Sequence, residues 1–528
     1  MKKVLVLLLC LIPFFGIWAG GKTANTPAAS TGPVTIDLWI YPSINESGPP
    51  PPEWKVPGVL KERFNIDMRF TMMPSAANDW DTKIMATAAA NDLPDVFEVR
   101  RAPWENLVKT GLLAPVDDLY ALMPIRSKNH YTPESRAYTT MNGKSYALGT
   151  PGSFEKKEGM IIRGDWLEKL GLKMPVTTDD WLTVMRAFTN NDPDGNGRQD
   201  TWGVGGFIET NPQTLGLGHK FDYFFAAFGV AGTWNLTKAD PGLNIRKPVF
   251  YDALAYFKQI VDENLIDPNW LTYNKDDYRA GWKQGRFGMQ REDCSAYSSE
   301  NNYAPFDANF PNGYWLVTTP PVGPKGHSAV GVSVPQYQLN CVSARAMNQG
   351  KGNAIASMLE WFSTEEGYYL AGWGEKNVNY VLDANGVPTD EGMADPSKFF
   401  TRPDIVTITQ ARRLVFYNGE VELMARYPDY MTPTSHRLMS TMQVIRDFAK
   451  LPWINNSGAD TLTKPNADLE RFYQQGLIEF VTGQRQLTPQ NWAAWLAEFD
   501  RIGGLQWEKD GLAIAESSGY LQEGNVVF

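Results

Sequence analysis

Between Val34 and Val99 the chain changes its hydrophobic period four times, and that alternation limits its fold more than any other feature. The stretch "VTIDLWIY", from Val34, is dense in β-formers and reads as a buried strand, whereas "GVLKERFN" gives Val59, Leu60 and Phe64 helical spacing with Pro57 near the helix start. "IDMRFTMM" reads as a second strand. "NDWDTKIMATAAAND" follows as a helix with Asn78 or Asp79 as its N-cap, and Pro94 ends it before the strand "DVFEV". Strand, helix, strand, helix, strand implies a mostly parallel sheet with helices on both faces. In such α/β folds ligands bind beyond the C-terminal ends of the strands.

A turn and an extended run at "NGKSYALGTPG", Asn142 to Gly152, break this pattern, and "GMIIRGDWLEKLGL" starts a second strand and helix series. We place a crossing between two lobes there and a return crossing near "GVSVPQYQLN". Residues 34–148 with 332–395 are then expected to form an N-terminal lobe, and 149–331 with 396–528 a C-terminal one. In the second series, "DALAYFKQIVDENLIDP" puts Leu254, Phe257, Val261 and Leu265 on one helix face, and "GRFGMQRED" reads as a short buried strand with a polar end. After the return, "GNAIASMLEWFSTEEG" spaces Ile355, Met358, Leu359 and Phe362 as a helix. The C-terminal part is helical as well. There "LERFYQQGLIEFVTG" leads to Thr488 as N-cap, Pro489 at the first helical position, and Trp492, Trp495, Leu496 and Phe499 along one face.

The N-terminus reads as an export signal over residues 1–19: Lys2 and Lys3, an apolar run from Val4 to Phe15, then small residues from Ala19. Residues 20–33, small and polar, read as a flexible linker. Cys10 lies inside the apolar run, which argues against a lipid anchor. No later apolar stretch reaches the ~18–20 residues needed to span a bilayer, so the expected location is the periplasm or the extracellular space. "GIWAGGKT", Gly16 to Thr23, fits the phosphate-loop spacing but straddles the cleavage site, and no strand precedes it, so that reading is rejected. A net charge of −10 argues against a nucleic-acid partner. Cys294 and Cys341 are compatible with one disulfide or with two separate buried thiols.

A set of stretches recurs in one order: "ANDLPDVFEV", "GLLAPVDDLYALMP", "NGKSYALG", "IIRGDWLEKLGLKMPVTTDDW", "DPDGNGRQDTWG", "ENLIDP" and "LTPQNWAAWLAEFDRIGG". In these the chain resembles the extracellular solute-binding proteins, family 1, of ATP-binding-cassette (ABC) importers. It is most similar to the large-ligand branch that captures oligosaccharides. The resemblance implies an α/β, two-lobed, periplasmic-binding-protein type II-like fold with hinge crossings and a helical C-terminal part. It also implies a monomer that closes on its ligand, docks on membrane permease subunits and makes or breaks no bond. The absent lipobox cysteine is compatible with a free periplasmic protein.

Within "DPDGNGRQD" the side-chain oxygens of Asp192, Asp194, Asn196 and Asp200 take the first, third, fifth and ninth positions of an EF-hand loop. Gly197 takes the sixth, and the Arg198 carbonyl the seventh. The twelfth position, where a bidentate Glu would complete the cage, is Gly203, and Thr201 stands where some related loops carry an acidic residue. Structural calcium is one reading; an Asx-rich turn with Gly195 and Gly197 at positive φ is the other. A sugar groove wants flat rings beside planar polar groups. Trp181, Trp361, Trp492 and Trp495 have the spacing of core residues. Trp39, Tyr41, Trp104, Trp234 and Trp373 lie where strands end or loops begin and are the candidates to line a groove, against core packing. Arg100 and Arg291, at strand ends, are candidates to donate to sugar hydroxyls or an acidic sugar, against solvated surface charge. No nucleophile elbow or zinc helix occurs, and the four histidines, His130, His219, His327 and His436, are isolated, so no catalytic residue is assigned. The alternatives to a binding protein are an exported glycoside-active enzyme with paired carboxylates and a ligand-binding subunit of a sensor.

Overall fold

The structure is a computed structural model. It describes residues 32–40, 54–73, 77–131, 139–149, 158–210, 214–293, 300–331, 338–399 and 462–517, with residues 414, 443, 444, 447, 448, 450–452, 520, 521 and 523. The export signal, the linker up to residue 31, Tyr41, Thr150 to Gly152, Cys294 and residues 332–337 of the return crossing lie outside the described residues.

Two four-stranded sheets organise the molecule. Their strands are β1 (Val34–Ile40), β2 (Ile66–Met72), β3 (Val96–Arg100), β4 (Glu158–Arg163), β5 (Trp202–Val204), β6 (Phe287–Asp293), β7 (Trp315–Val317) and β8 (Gln338–Val342). The first sheet has the order β8-β3-β1-β2. Within it β1 runs parallel to β2 from Val34↔Ile66 to Ile40↔Met72, and parallel to β3 at Leu38↔Val96 and Trp39↔Phe97. The late strand β8 returns to pair antiparallel with β3, from Gln338↔Arg100 to Val342↔Val96. The second sheet, β7-β4-β6-β5, departs from the parallel pattern: β4 is antiparallel to both β6 and β7, and only β5 and β6 run parallel.

Strand alternation decides what each face of the first sheet buries. Ile36, Leu38, Ile40 and Val96 pack with Ile355, Met358, Leu359 and Phe362 of the helix Gly352–Phe362. Phe97, Val99, Leu339 and Cys341 point the other way, onto Trp80 and Trp104. Helices thus cover both faces, as buried parallel strands require. The helix Val56–Phe64 carries Pro57 in its first turn and stops at Asn65, whose φ of 55° is left-handed. The helix Ala77–Ala89 begins ahead of the expected caps, leaving Asp79 in the first turn, where its charge faces the positive end of the helix dipole. Phe399 and Leu414 join the first lobe's core. Both lie beyond residue 395, where the expected segment of that lobe ended.

The second core gathers Trp166, Trp181, Phe188, Phe257, Trp282, Phe287 and Trp315 with the C-terminal helices Ala467–Val481, Pro489–Arg501 and Gly504–Ser517. Thr488 caps the middle one by accepting from the Asn491 N–H, and Pro489 opens it. Trp492 lies flat on Phe250, with centroids 6.0 Å apart and planes at 13°. The helical C-terminal part is thereby fused to the second lobe.

Candidate ligand-binding cleft

The chain leaves the first lobe at Leu148 and Gly149, where the Leu148 N–H donates to the Asn340 carbonyl at 2.7 Å, and enters the second sheet at Glu158. It returns from Gly331, whose carbonyl accepts from Arg291, to Gln338, which pairs with Arg100. The link from Gly331 to Gln338 reaches at most ~25 Å fully extended, so those two residues, one bonded to Arg291 of β6 and the other paired with Arg100 of β3, lie within that distance of each other. These strand ends are where an α/β lobe offers its ligand surface.

On the first lobe, Trp39 is half-buried and the Lys83 ammonium sits 4.7 Å from its ring centroid. Arg100 forms a fork with Asp81, its Nε 3.0 and 3.1 Å from the two carboxylate oxygens and its Nη2 on Oδ2. The charge of Arg100 is thus balanced within its own lobe, while its side chain stays partly exposed. Trp104, expected at the groove, is wholly buried in the helix Arg101–Lys109, packs in the cluster of Phe97 and Leu107, and donates from Nε1 to the Tyr146 carbonyl at 3.3 Å. A ring so enclosed presents no face to a ligand in this conformation.

Trp234 and Trp373 are enclosed in the same way. Trp234 meets Trp507 edge to face at 5.2 Å, and Trp373 stacks on Phe399 at 6.1 Å.

On the second lobe, Arg291 is buried and ties several segments together. Its Nη1 donates to Asp222 Oδ1 at 2.6 Å and to the His219 carbonyl at 2.7 Å, its Nη2 donates to the Gly331 carbonyl at 2.9 Å, and its Nε lies 3.3 Å from Glu158 Oε2. Glu158 Oε2 is also 3.4 Å from Lys220 Nζ and 3.5 Å from His219 Nε2. Burial pushes the Glu158 carboxyl up, but Lys220, His219 and Arg291 outweigh it and hold it well below the usual carboxylate range. For Asp222 the balance reverses, because burial raises its pKa more than Arg291 lowers it. Arg291 therefore spends its donors on its own lobe. Sequence reasoning missed Glu158, His219, Lys220 and Asp222 because they converge from separate segments; a polar end on a buried strand was the only local signal.

The acidic loop lies between the helix Thr178–Asn190 and β5. Asp192 has a φ of 47°, and its carboxylate accepts the N–H groups of Gly195, Asn196 and Gly197, each at 3.0 Å. The Asn196 amide nitrogen bridges Asp194 Oδ2 at 2.7 Å and Asp200 Oδ1 at 3.0 Å. Burial and the neighbouring Asp192 and Asp200 raise the Asp194 carboxyl, although the Asn196 N–H opposes them. Among the described residues no group of three or more His, Cys, Asp or Glu is already arranged as a metal cage. The donor chemistry nonetheless fits a hard cation, since turning the Asn196 amide over would aim its oxygen at the point between those two carboxylates, at the loss of the bond it accepts from the Arg198 N–H at 2.7 Å. A side chain at the twelfth position has no room, because a Cβ on Gly203 would lie 2.5 Å from the Met185 backbone.

Comparison with known proteins agrees with this architecture. The sequence profile of the bacterial extracellular solute-binding proteins matches residues 60–371. The chain is 24% identical over 368 residues to the lipoprotein LipO of Bacillus subtilis, covering 68% of this chain and 70% of that one. It is 27% identical over 315 residues to the fructooligosaccharide ABC transporter substrate-binding protein FusA of Streptococcus pneumoniae, covering 54% of this chain and just 56% of FusA. In three dimensions it is similar to FusA in complex with kestose (TM-score 0.57, 19% identity, 92% of this chain and 98% of that one) and to a FusA EF-hand mutant in complex with fructo-nystose (TM-score 0.58, 18% identity, the same coverage). It is also similar to an HMO-binding, ABC-transporter-associated solute-binding protein from Bifidobacterium longum infantis (TM-score 0.64, 17% identity, 93% and 100% covered). These neighbours are two-lobed. With its two sheets, paired crossings and matched profile, the chain belongs to the bacterial extracellular solute-binding protein family.

Proposed function

We propose that this protein captures an oligosaccharide between its two lobes outside the cytoplasm and delivers it, chemically unchanged, to the permease of an ABC importer. The observation that carries the reading is the first sheet's strand ends, which present the half-buried ring of Trp39 and the partly exposed Arg100–Asp81 fork, with the return crossing arriving beside Arg100 at Gln338. A flat ring takes the C–H face of a sugar, and forked polar groups take its hydroxyls. FusA, with kestose, supplies the chemical precedent for the ligand class. Closure follows as a population shift, because a ligand that touches both lobes only in the closed form favours that form by its differential affinity. Glu158, at the start of β4, and Asp222, at the start of the helix Asp222–Ala226, are committed to Arg291, which leaves the glycosidase alternative without support from that pair. Among the described residues no helix is long and apolar enough to cross a membrane, and the signal at residues 1–19 supplies the export route. The protein is read as a monomer in the periplasm or outside the cell, and the place of Cys10 inside the apolar run disfavours a lipid anchor.

A panel of oligosaccharides including kestose, read by thermal shift with chromatography of the sugars afterwards, tests this. A ligand that binds only the folded state raises Tm by mass action, by about 2.7 kcal/mol of added stability at a hundredfold excess over Kd. The expected result is a rise with at least one sugar and no new products. Cleavage of the bound sugar sinks the reading in favour of the enzyme.

We further propose that the acidic loop holds calcium through Asp192, Asp194, Asn196, Asp200 and the Arg198 carbonyl, and that the ion clamps the loop and takes no part in ligand chemistry. A divalent ion there neutralises three aspartates gathered within one turn. Calcium is expected to raise Tm and Asp194→Ala to abolish the rise. An unchanged Tm on chelation would leave the loop as a turn built on Gly195 and Gly197.

A further inference from the structure

We infer that Arg291 is a positioning residue for lobe closure: it ties the second-lobe foot of the outward crossing at Glu158 to that of the return crossing at Gly331, so that these two move together. The inference deepens the capture reading and rests on it for its meaning. The first crossing enters the second lobe at Glu158, and the second leaves it from Gly331. A single guanidinium contacts both, with Nε 3.3 Å from Glu158 Oε2 and Nη2 donating to the Gly331 carbonyl at 2.9 Å. Its third edge is fixed by Asp222 Oδ1 at 2.6 Å and the His219 carbonyl at 2.7 Å. The backbone of Arg291 is held too, since its carbonyl accepts from the Tyr278 hydroxyl at 2.9 Å.

The second foot is seated as closely as its chemistry allows. A Cβ on Gly331 would land on the Asp222 carboxylate, so only glycine lets the chain pass against that ion pair. The first foot has further ties in Lys220, 3.4 Å away, and His219, 3.5 Å away. A planar fork on a rigid strand can meet these four partners in fixed directions, which a lysine ammonium on a flexible stem cannot. Motion between lobes is absorbed at a few positions flanking rigid bodies. Feet held by one guanidinium move together rather than independently.

The test needs no ligand. Spin labels at the exposed positions Lys61→Cys in the first lobe and Gln475→Cys in the second report the interlobe distance distribution by pulsed electron paramagnetic resonance. Arg291→Lys is expected to broaden that distribution and displace its mean. Trp495→Phe, a core change in the C-terminal helices of the second lobe, is expected to lower Tm and leave the distribution unchanged. If Arg291→Lys lowers Tm with the distribution unaltered, Arg291 is only structural and the inference is overturned. Should that variant not fold, Gly331→Ala decides, because its methyl group displaces the second foot without removing a charge: a shifted distribution supports the coupling, and an unaltered one overturns it. If the wild type binds no sugar, the oligosaccharide reading fails while this comparison, made on ligand-free protein, keeps its outcome.

Discussion

Arg291→Met is expected to cost about 3–5 kcal/mol of second-lobe stability, the loss seen when one partner of a buried ion pair is removed. The variant leaves Asp222 buried beside the Gly331 foot without its main counter-charge. Glu158 fares better, because Lys220 and His219 remain within 3.4 and 3.5 Å. The penalty therefore falls mostly on Asp222, and adding Asp222→Asn to Arg291→Met is expected to recover part of it, since the orphaned charge disappears. Urea unfolding followed by tryptophan fluorescence checks both steps. A loss below about 1 kcal/mol for the single variant would place Arg291 in the range of solvated surface pairs and contradict its burial.

Trp495→Ala is expected to cost a further quantity of the same order, about 3–5 kcal/mol. Trp495 is the centre of an aromatic stack in the C-terminal helices: its ring lies 5.6 Å from Phe472 with planes at 5°, 5.0 Å from Trp492 and 5.8 Å from Phe499. A Cβ on Gly476 would land on its indole nitrogen, so the helix Ala467–Val481 approaches there to the limit that glycine permits. Truncating the ring leaves a cavity that two rigid helices cannot collapse to fill. Trp495→Phe, which keeps the stacking but not the volume, should lose clearly less. Equal losses for the two variants would show that the stack matters little and that the cost arises elsewhere.

Local periodicity made the first sheet legible. The strands at Val34 and Ile66 and the helix between them each bury a face that the sequence itself displays, and the C-terminal helix at Thr488 announced its own cap. The pairing of the second sheet was not legible, because β4 meets β6 and β7 through contacts between residues far apart in the chain. The aromatic candidates divide for the same reason. Trp181 and Trp495 carried helical spacing and are core residues, whereas Trp234 and Trp373 sit near loop-like sequence and are buried by Trp507 and Phe399. Arg291 stood out as a charged residue ending a buried strand. Its partners arrive from residues 158, 222 and 331, which no window of sequence displays together. The acidic loop is the opposite case: its turn is built from its own residues, and the hydrogen bonds from Gly195, Asn196 and Gly197 to Asp192 follow the spacing of the sequence.

Capture between two lobes, the central claim, is tested most directly by small-angle X-ray scattering with and without whichever panel sugar raises Tm. The account predicts a smaller radius of gyration in the saturated protein, with the sugar recovered intact. Saturation without compaction, or recovery of cleaved sugar, would contradict it.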